Sequence, residues 1–176
     1  MKEEKILFEE SQRFTQWWIW AIILVALGVS IYATMETIQM DESLFNWPNF
    51  RIIIPVFIIP ALFYFLTLKT RVAENGIYVQ FIPFHLKEIF IAWDQLDECY
   101  LRTYSPLGEY GGWGIKYGLG GAGKVYNVSG NQGLQLVFKD GAKLLIGTQK
   151  PQELQEIVNK LNYLLPVNSL RRLVFR

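Results

Sequence analysis

The sequence predicts a membrane α-helical hairpin followed by a mainly-β domain, about seven short strands closed as a barrel or sandwich and capped by a C-terminal helix. Three observations lead there. Hydrophobic residues make up 51% of the 176-residue chain and charged residues only 19%, and the excess is concentrated in two uncharged stretches. From residue 70 onward, turn residues punctuate short runs that alternate apolar and polar. The last periodic segment has helical spacing instead.

The first stretch, Phe14 to Met35, lies between Arg13 and Glu36. As a helix rising ~1.5 Å per residue it reaches about 33 Å, the thickness of a bilayer core. Trp17, Trp18 and Trp20 at one end and Tyr32 near the other suit an aromatic belt. The second expected span, 47–68, opens at Trp47-Pro48 and carries Pro55 and Pro60 in its apolar part, Ile52 to Leu68. A secretory signal fits the first stretch less well, because no small-x-small cleavage site precedes Glu36. Lys2, Lys5, Arg13, Lys69 and Arg71 flank the outer ends of the pair and Arg51 alone the inner side. This places both termini in the cytoplasm and the chain in the cell membrane as a multi-pass protein. Expected segments are a cytoplasmic N-terminal piece (1–13), span 14–35, an external loop (36–46), span 47–68, the β domain (69–165) and a basic-apolar tail (166–176). Neither span holds an ionisable group in its middle, which argues for an anchor rather than a transporter. Ala26, Ser30 and Ala33 form a small-residue stripe that lets the two helices approach, or alternatively a second copy.

In the β domain, Asn75-Gly76 and Asp140-Gly141 mark hairpins. Ile77, Val79 and Phe81 alternate with Tyr78 and Gln80; Ile89, Ile91 and Trp93 form the next run. Cys99, Leu101 and Thr103 come after it, then expected strands at Trp113–Tyr117, Val125–Val128, Leu134–Phe138 and Lys143–Ile146. The closing helix begins at Pro151 and lays Leu154, Ile157, Val158, Leu161 and Leu164 on one face.

Two phrases add a resemblance. "Ile91-Ala92-Trp93-Asp94-Gln95-Leu96" resembles the Ile-x-Trp-x-x-Ile phrase of bacterial pleckstrin-homology-like (PH-like) membrane proteins. The stretches Glu109–Gly118 and Lys124–Leu154 resemble one uncharacterised bacterial family with two N-terminal transmembrane helices and a PH-like domain. The resemblance implies a PH-like fold and no catalytic residues. Phosphoinositide binding is not implied, since the first hairpin, Ala73-Glu74-Asn75-Gly76, is acidic at its tip.

One cysteine (Cys99) and one histidine (His85) exclude an internal disulfide, a cysteine zinc cluster and multi-histidine sites. Cys99 is expected to be a buried small hydrophobe and His85 a turn residue. A net charge of +1 gives no footprint for nucleic acid. Gly118-x-Gly120-x-x-Gly123-Lys124 imitates a phosphate-binding loop, but Val125 replaces the Ser or Thr that would hold magnesium, and a strand rather than a helix is expected after it. Asn127-Val128-Ser129 is a glycosylation sequon on the side expected to be cytoplasmic. No cofactor or metal is expected.

The reading is therefore non-catalytic: a membrane-tethered interaction or assembly module. Its partners would be the bilayer and either a protein or further copies of itself. The alternative is an accessory subunit of a larger transporter or enzyme complex, and less favoured still is a lipid-acting enzyme. The partner or lipid surface is expected at Arg102, Tyr110, Trp113, Lys116, Tyr117, Lys124 and Tyr126, with Arg171, Arg172 and Arg176 of the tail.

Overall fold

The computed structural model describes residues 5–40 and 58–164. The chain divides into two compact units, one formed by residues 14–66 and the other by residues 1–13 together with 67–176.

In the first unit, α1 runs over Trp17–Met40 and α2 is described over 58–65. The Phe14 ring meets the edge of Phe63 at 5.5 Å, and Trp20 Nε1 donates to the Phe14 carbonyl at 3.1 Å. Apolar side chains of α1 are distributed around the helix: Ile22, Leu24, Val25 and Val29 are exposed while Ile19 and Ile23 are buried. Among the described residues no helix is long and apolar enough to cross a membrane. This corrects the expected α-helical membrane hairpin, and with it the multi-pass placement in the cell membrane. Residues 41–57, which hold most of the expected external loop and the start of the expected second span, lie outside the described residues.

The second unit is mainly β, with nine strands in two sheets among the described residues, where about seven were expected. The first sheet contains β1 (Ile6–Arg13), β2 (Thr67–Ala73), β3 (Gly76–Ile82) and β4 (Ile89–Ala92) in that order. All three pairings are antiparallel. The second contains β5 (Leu96–Thr103), β6 (Gly114–Tyr117), β7 (Lys124–Asn127), β8 (Gln132–Phe138) and β9 (Lys143–Gly147), ordered β5-β8-β9-β7-β6. In it β7 and β9 run parallel and the other pairs antiparallel. Between β5 and β6 lies a short helix, α3 (Pro106–Tyr110), and the last described element is α4 (Pro151–Leu164).

The alternation explains the core. Val72, Ile77, Val79, Phe81 and Ile91 of the first sheet are buried, as are Leu96, Cys99, Val125, Leu134, Leu136 and Leu145 of the second. Leu154, Val158 and Leu161 form the buried stripe of α4, which packs on β1 and β5, one strand from each sheet.

Strand β1, for which the sequence suggested no element, pairs along its length with β2, Arg13 facing Thr67 and Ile6 facing Ala73. Its inward residues are Phe8, Glu10 and Gln12, all buried. The Glu10 carboxylate accepts from Thr148 Oγ1 at 2.7 Å and from the Gln149 N–H at 2.8 Å. Gln12 Nε2 donates to the Gly147 carbonyl at 2.7 Å. Buried polar groups cost little only when bonded in this way, and here the bonds tie the edge of one sheet to the end of β9 in the other.

This packing makes two outcomes measurable. Leu154→Ala costs the β-rich unit about 2–5 kcal/mol, the range for emptying a buried leucine site. Denaturant unfolding checks it, with exposed Gln152→Ala as a near-neutral control. A chain lacking residues 1–13 leaves Thr148 Oγ1 and the Gln149 N–H without their acceptor and the edge of β2 bare. Its β2 and β9 amides are expected to lose protection from hydrogen exchange, and protection should return when a peptide of residues 5–14 is added.

Candidate interaction surface

The glycine-aromatic segment expected to form a surface folds from α3 through β6 to β7. Ser105 caps α3: its Oγ accepts from the Gly108 N–H at 3.1 Å, and Glu109 Oε1 accepts from the Ser105 N–H at 2.8 Å. Glu109 also holds Arg102, whose Nη2 reaches Glu109 Oε2 at 2.8 Å and the Tyr110 hydroxyl at 3.0 Å. Arg102 Nε donates to Gln135 Oε1 at 2.9 Å. The Arg102 guanidinium holds the Glu109 carboxyl below the usual carboxylate range.

The expected site residues therefore separate. Arg102 is engaged in this network, and Tyr110 and Tyr126 are buried. Tyr110 packs edge-on against Tyr104 at 5.8 Å. Trp113, half-buried, donates from Nε1 to the Gly130 carbonyl at 3.1 Å, and Lys116 Nζ reaches the Gly111 carbonyl at 2.6 Å. Lys124 Nζ lies over the rings of Tyr126 (4.9 Å) and Tyr117 (5.7 Å), a cation–π arrangement. Tyr117 is 75% exposed. Two exposed residues were not singled out from the sequence: Leu119, 76% exposed in the three-residue turn after β6, and Leu107, 68% exposed on α3. The turn packs against α3; α3 covers the sheet face of Val125 through Tyr110, whereas Tyr117 pairs with Lys124 on the opposite face. A glycine-rich loop that nonetheless carries a leucine was the available signal. Arg171, Arg172 and Arg176 lie outside the described residues.

Glycine is required at two places here. A Cβ on Gly118 would sit 2.7 Å from the Tyr110 ring, and one on Gly123 (φ +82°) would run into the Lys143 carbonyl. Strand β7 comes directly after Gly123, so no helix N-terminus faces the loop and the phosphate-loop imitation ends there. Asn127, the sequon residue, is fully buried; its amide donates to the Tyr104 hydroxyl at 3.0 Å and its carbonyl oxygen accepts from the Gly114 N–H at 2.8 Å. Among the described residues no group of His, Cys, Asp or Glu could hold a metal ion. Cys99 is buried, which pushes its thiol up to about 12.

No family model matches the chain, and neither a curated protein nor a solved structure matches it.

His85 borders this surface. Its Nδ1 accepts from the Phe81 N–H at 3.1 Å, and its ring lies edge-on to Tyr126 at 5.0 Å. Burial first, and the Lys124 charge second, hold the imidazole below its ordinary pKa. The neutral ring is thus the form that stabilises the fold. That stability is complete above about 6.5, the unfolded value, and is lost as pH falls toward the lower folded value. The melting temperature of the β-rich unit is expected to drop as pH falls below about 6.5, and less so in His85→Gln, which keeps an acceptor without the titration. Glu109 titrates in a separate window, below about 4.3, so the two effects are distinguishable.

Proposed function

We propose that the β-rich unit is a non-catalytic, PH-like interaction module whose β6–β7 surface takes an acidic, extended segment of a partner protein. The observation that carries this is Tyr117, 75% exposed beside the Lys124 cation, with Leu119 exposed in the turn that follows. The carboxylate of the same segment, Glu109, is already engaged by Arg102. Exposed apolar residues beside a lysine that makes no ion pair among the described residues suit a partner that is both aromatic or aliphatic and acidic. A non-catalytic role is supported by Cys99, which is buried with its thiol pushed up to about 12. Two sheets with a helix packed across one strand of each support the PH-like reading.

Selection of random peptides on the immobilised protein tests this. Acidic sequences with an aromatic or aliphatic residue are expected, perturbing backbone resonances over residues 114–126. An exposed ion pair contributes up to about 1 kcal/mol, so Lys124→Glu weakens binding roughly fivefold. Tyr117→Ala should weaken it as well. Selected peptides that lack acidic residues, or that bind both variants as well as the parent, would sink the proposal.

A further inference from the structure

The four sheet edges are not equally protected. Edges β1 and β5 lie against α4. Edge β6 carries Lys116 and begins at Gly114, whose φ is +120°. Edge β4 reads Ile89-Phe90-Ile91-Ala92, with no charge, no proline and no bulge, and among the described residues it pairs only with β3. Edges are normally guarded by charged residues, proline or bulges, because their free N–H and C=O groups recruit another strand. Here Ile89 is 36% exposed and Phe90 46%.

The outer face of the first sheet ends on this edge. Glu9 faces Arg71, Arg71 faces Tyr78, and Tyr78 faces Phe90. The Arg71 guanidinium lies 5.2 Å over the Tyr78 ring and pairs with Glu88. The rings of Tyr78 and Phe90 stack at 4.7 Å. This row of charge, cation–π contact and aromatic stack stops at the partly exposed Phe90.

The geometry points to a second copy of this chain as the occupant, added antiparallel along β4 with Phe90 facing Phe90 across a two-fold axis. A strand pairing with its own copy must place residues of the same face opposite each other, which restricts the register to steps of two. With Ile89 facing Ile89, the Phe90 ring meets the Glu88 carboxylate. With Ile91 facing Ile91, Glu88 meets Asp94, and like charges directly opposite are unfavourable. With Phe90 facing Phe90, Ile89 meets Ile91, Glu88 meets Ala92, and the aromatic row continues into the second copy. An isologous contact needs such self-complementarity, and an uncharged strand that reads nearly alike in both directions has it.

Oxidative cross-linking of the full chain tests the pairing and its register together. Phe90→Cys is expected to form a disulfide-linked dimer about tenfold or more faster than Asp140→Cys, an exposed hairpin position that reports random collision. Glu88→Cys and Ala92→Cys are expected to stay near the collision rate alone and to cross-link when mixed, since each faces the other. The parent chain serves as the blank, its buried Cys99 being inert. The mixture leaves Phe90 in place, so it judges the register even if Phe90→Cys disturbs the fold, which circular dichroism would reveal. Cross-linking of Phe90→Cys at the Asp140→Cys rate, or a Glu88→Cys and Ala92→Cys mixture no faster than either alone, would overturn the inference.

Discussion

The β-rich unit depends on one long-range pairing, that of β1 with β2 across residues 14–66. Without β1 the first sheet has three strands, α4 loses one of the two strands it packs on, and the end of β9 loses Glu10 and Gln12. The strand contributes backbone ladder, inward side chains and a helix contact at once. Those inward side chains are mostly polar, so the join rests on directional bonds and not on apolar area alone. A carboxylate taking two donors and an amide donating to a carbonyl set position as well as energy: a one-residue slip of β1 would turn Glu10 and Gln12 to the opposite face.

The glycine-aromatic segment shows a similar division between fixing and offering. Arg102, Glu109, Tyr110 and Gln135 form a network that holds α3 against the sheet, and Tyr104 with Asn127 holds the start of β6. These groups are spent on positioning. What they leave exposed is Leu107 on α3, Leu119 in the turn, and Tyr117 beside Lys124 on the other face of the sheet. The cation of Lys124 lies over the rings of both Tyr117 and Tyr126, which links the exposed ring to the buried one.

Much of this was legible in the sequence. Strands β3 to β9 are signalled by alternation and by hairpin residues, and α4 by Pro151 and its apolar stripe, because each of these signals is local; the start of β2, Thr67 and Leu68, fell inside the expected second span. Strand β1 was not legible, since its inward positions include Glu10 and Gln12, and a polar inward face erases the apolar alternation that marks a strand. Its partner is also far away in the chain. The expected membrane hairpin rested on apolar length, Phe14 to Met35 and Ile52 to Leu68, and length is a property of the residues and not of the helices they form. In the candidate surface, Tyr117 and Lys124 were identifiable by type, whereas the engagement of Arg102 by Glu109 required knowing that α3 folds back.

The insertion of residues 14–66 between two adjacent strands also orders events in time. During synthesis β1 emerges first and cannot be used, because its neighbour is made only after the whole of the other unit. Closing so long a loop is not prohibitive, as each doubling of loop length costs only about 0.6 kcal/mol, but it delays the contact. An unpaired strand with Ile6 and Phe8 must therefore wait while the apolar side chains of α1 are being made. The charged residues on its alternate positions, Glu9 and Arg13, and the buried pair-to-be Glu10 and Gln12, make it a poor template for premature pairing. The polar inward face that hid β1 from pattern reading thus keeps the nascent strand soluble until β2 arrives.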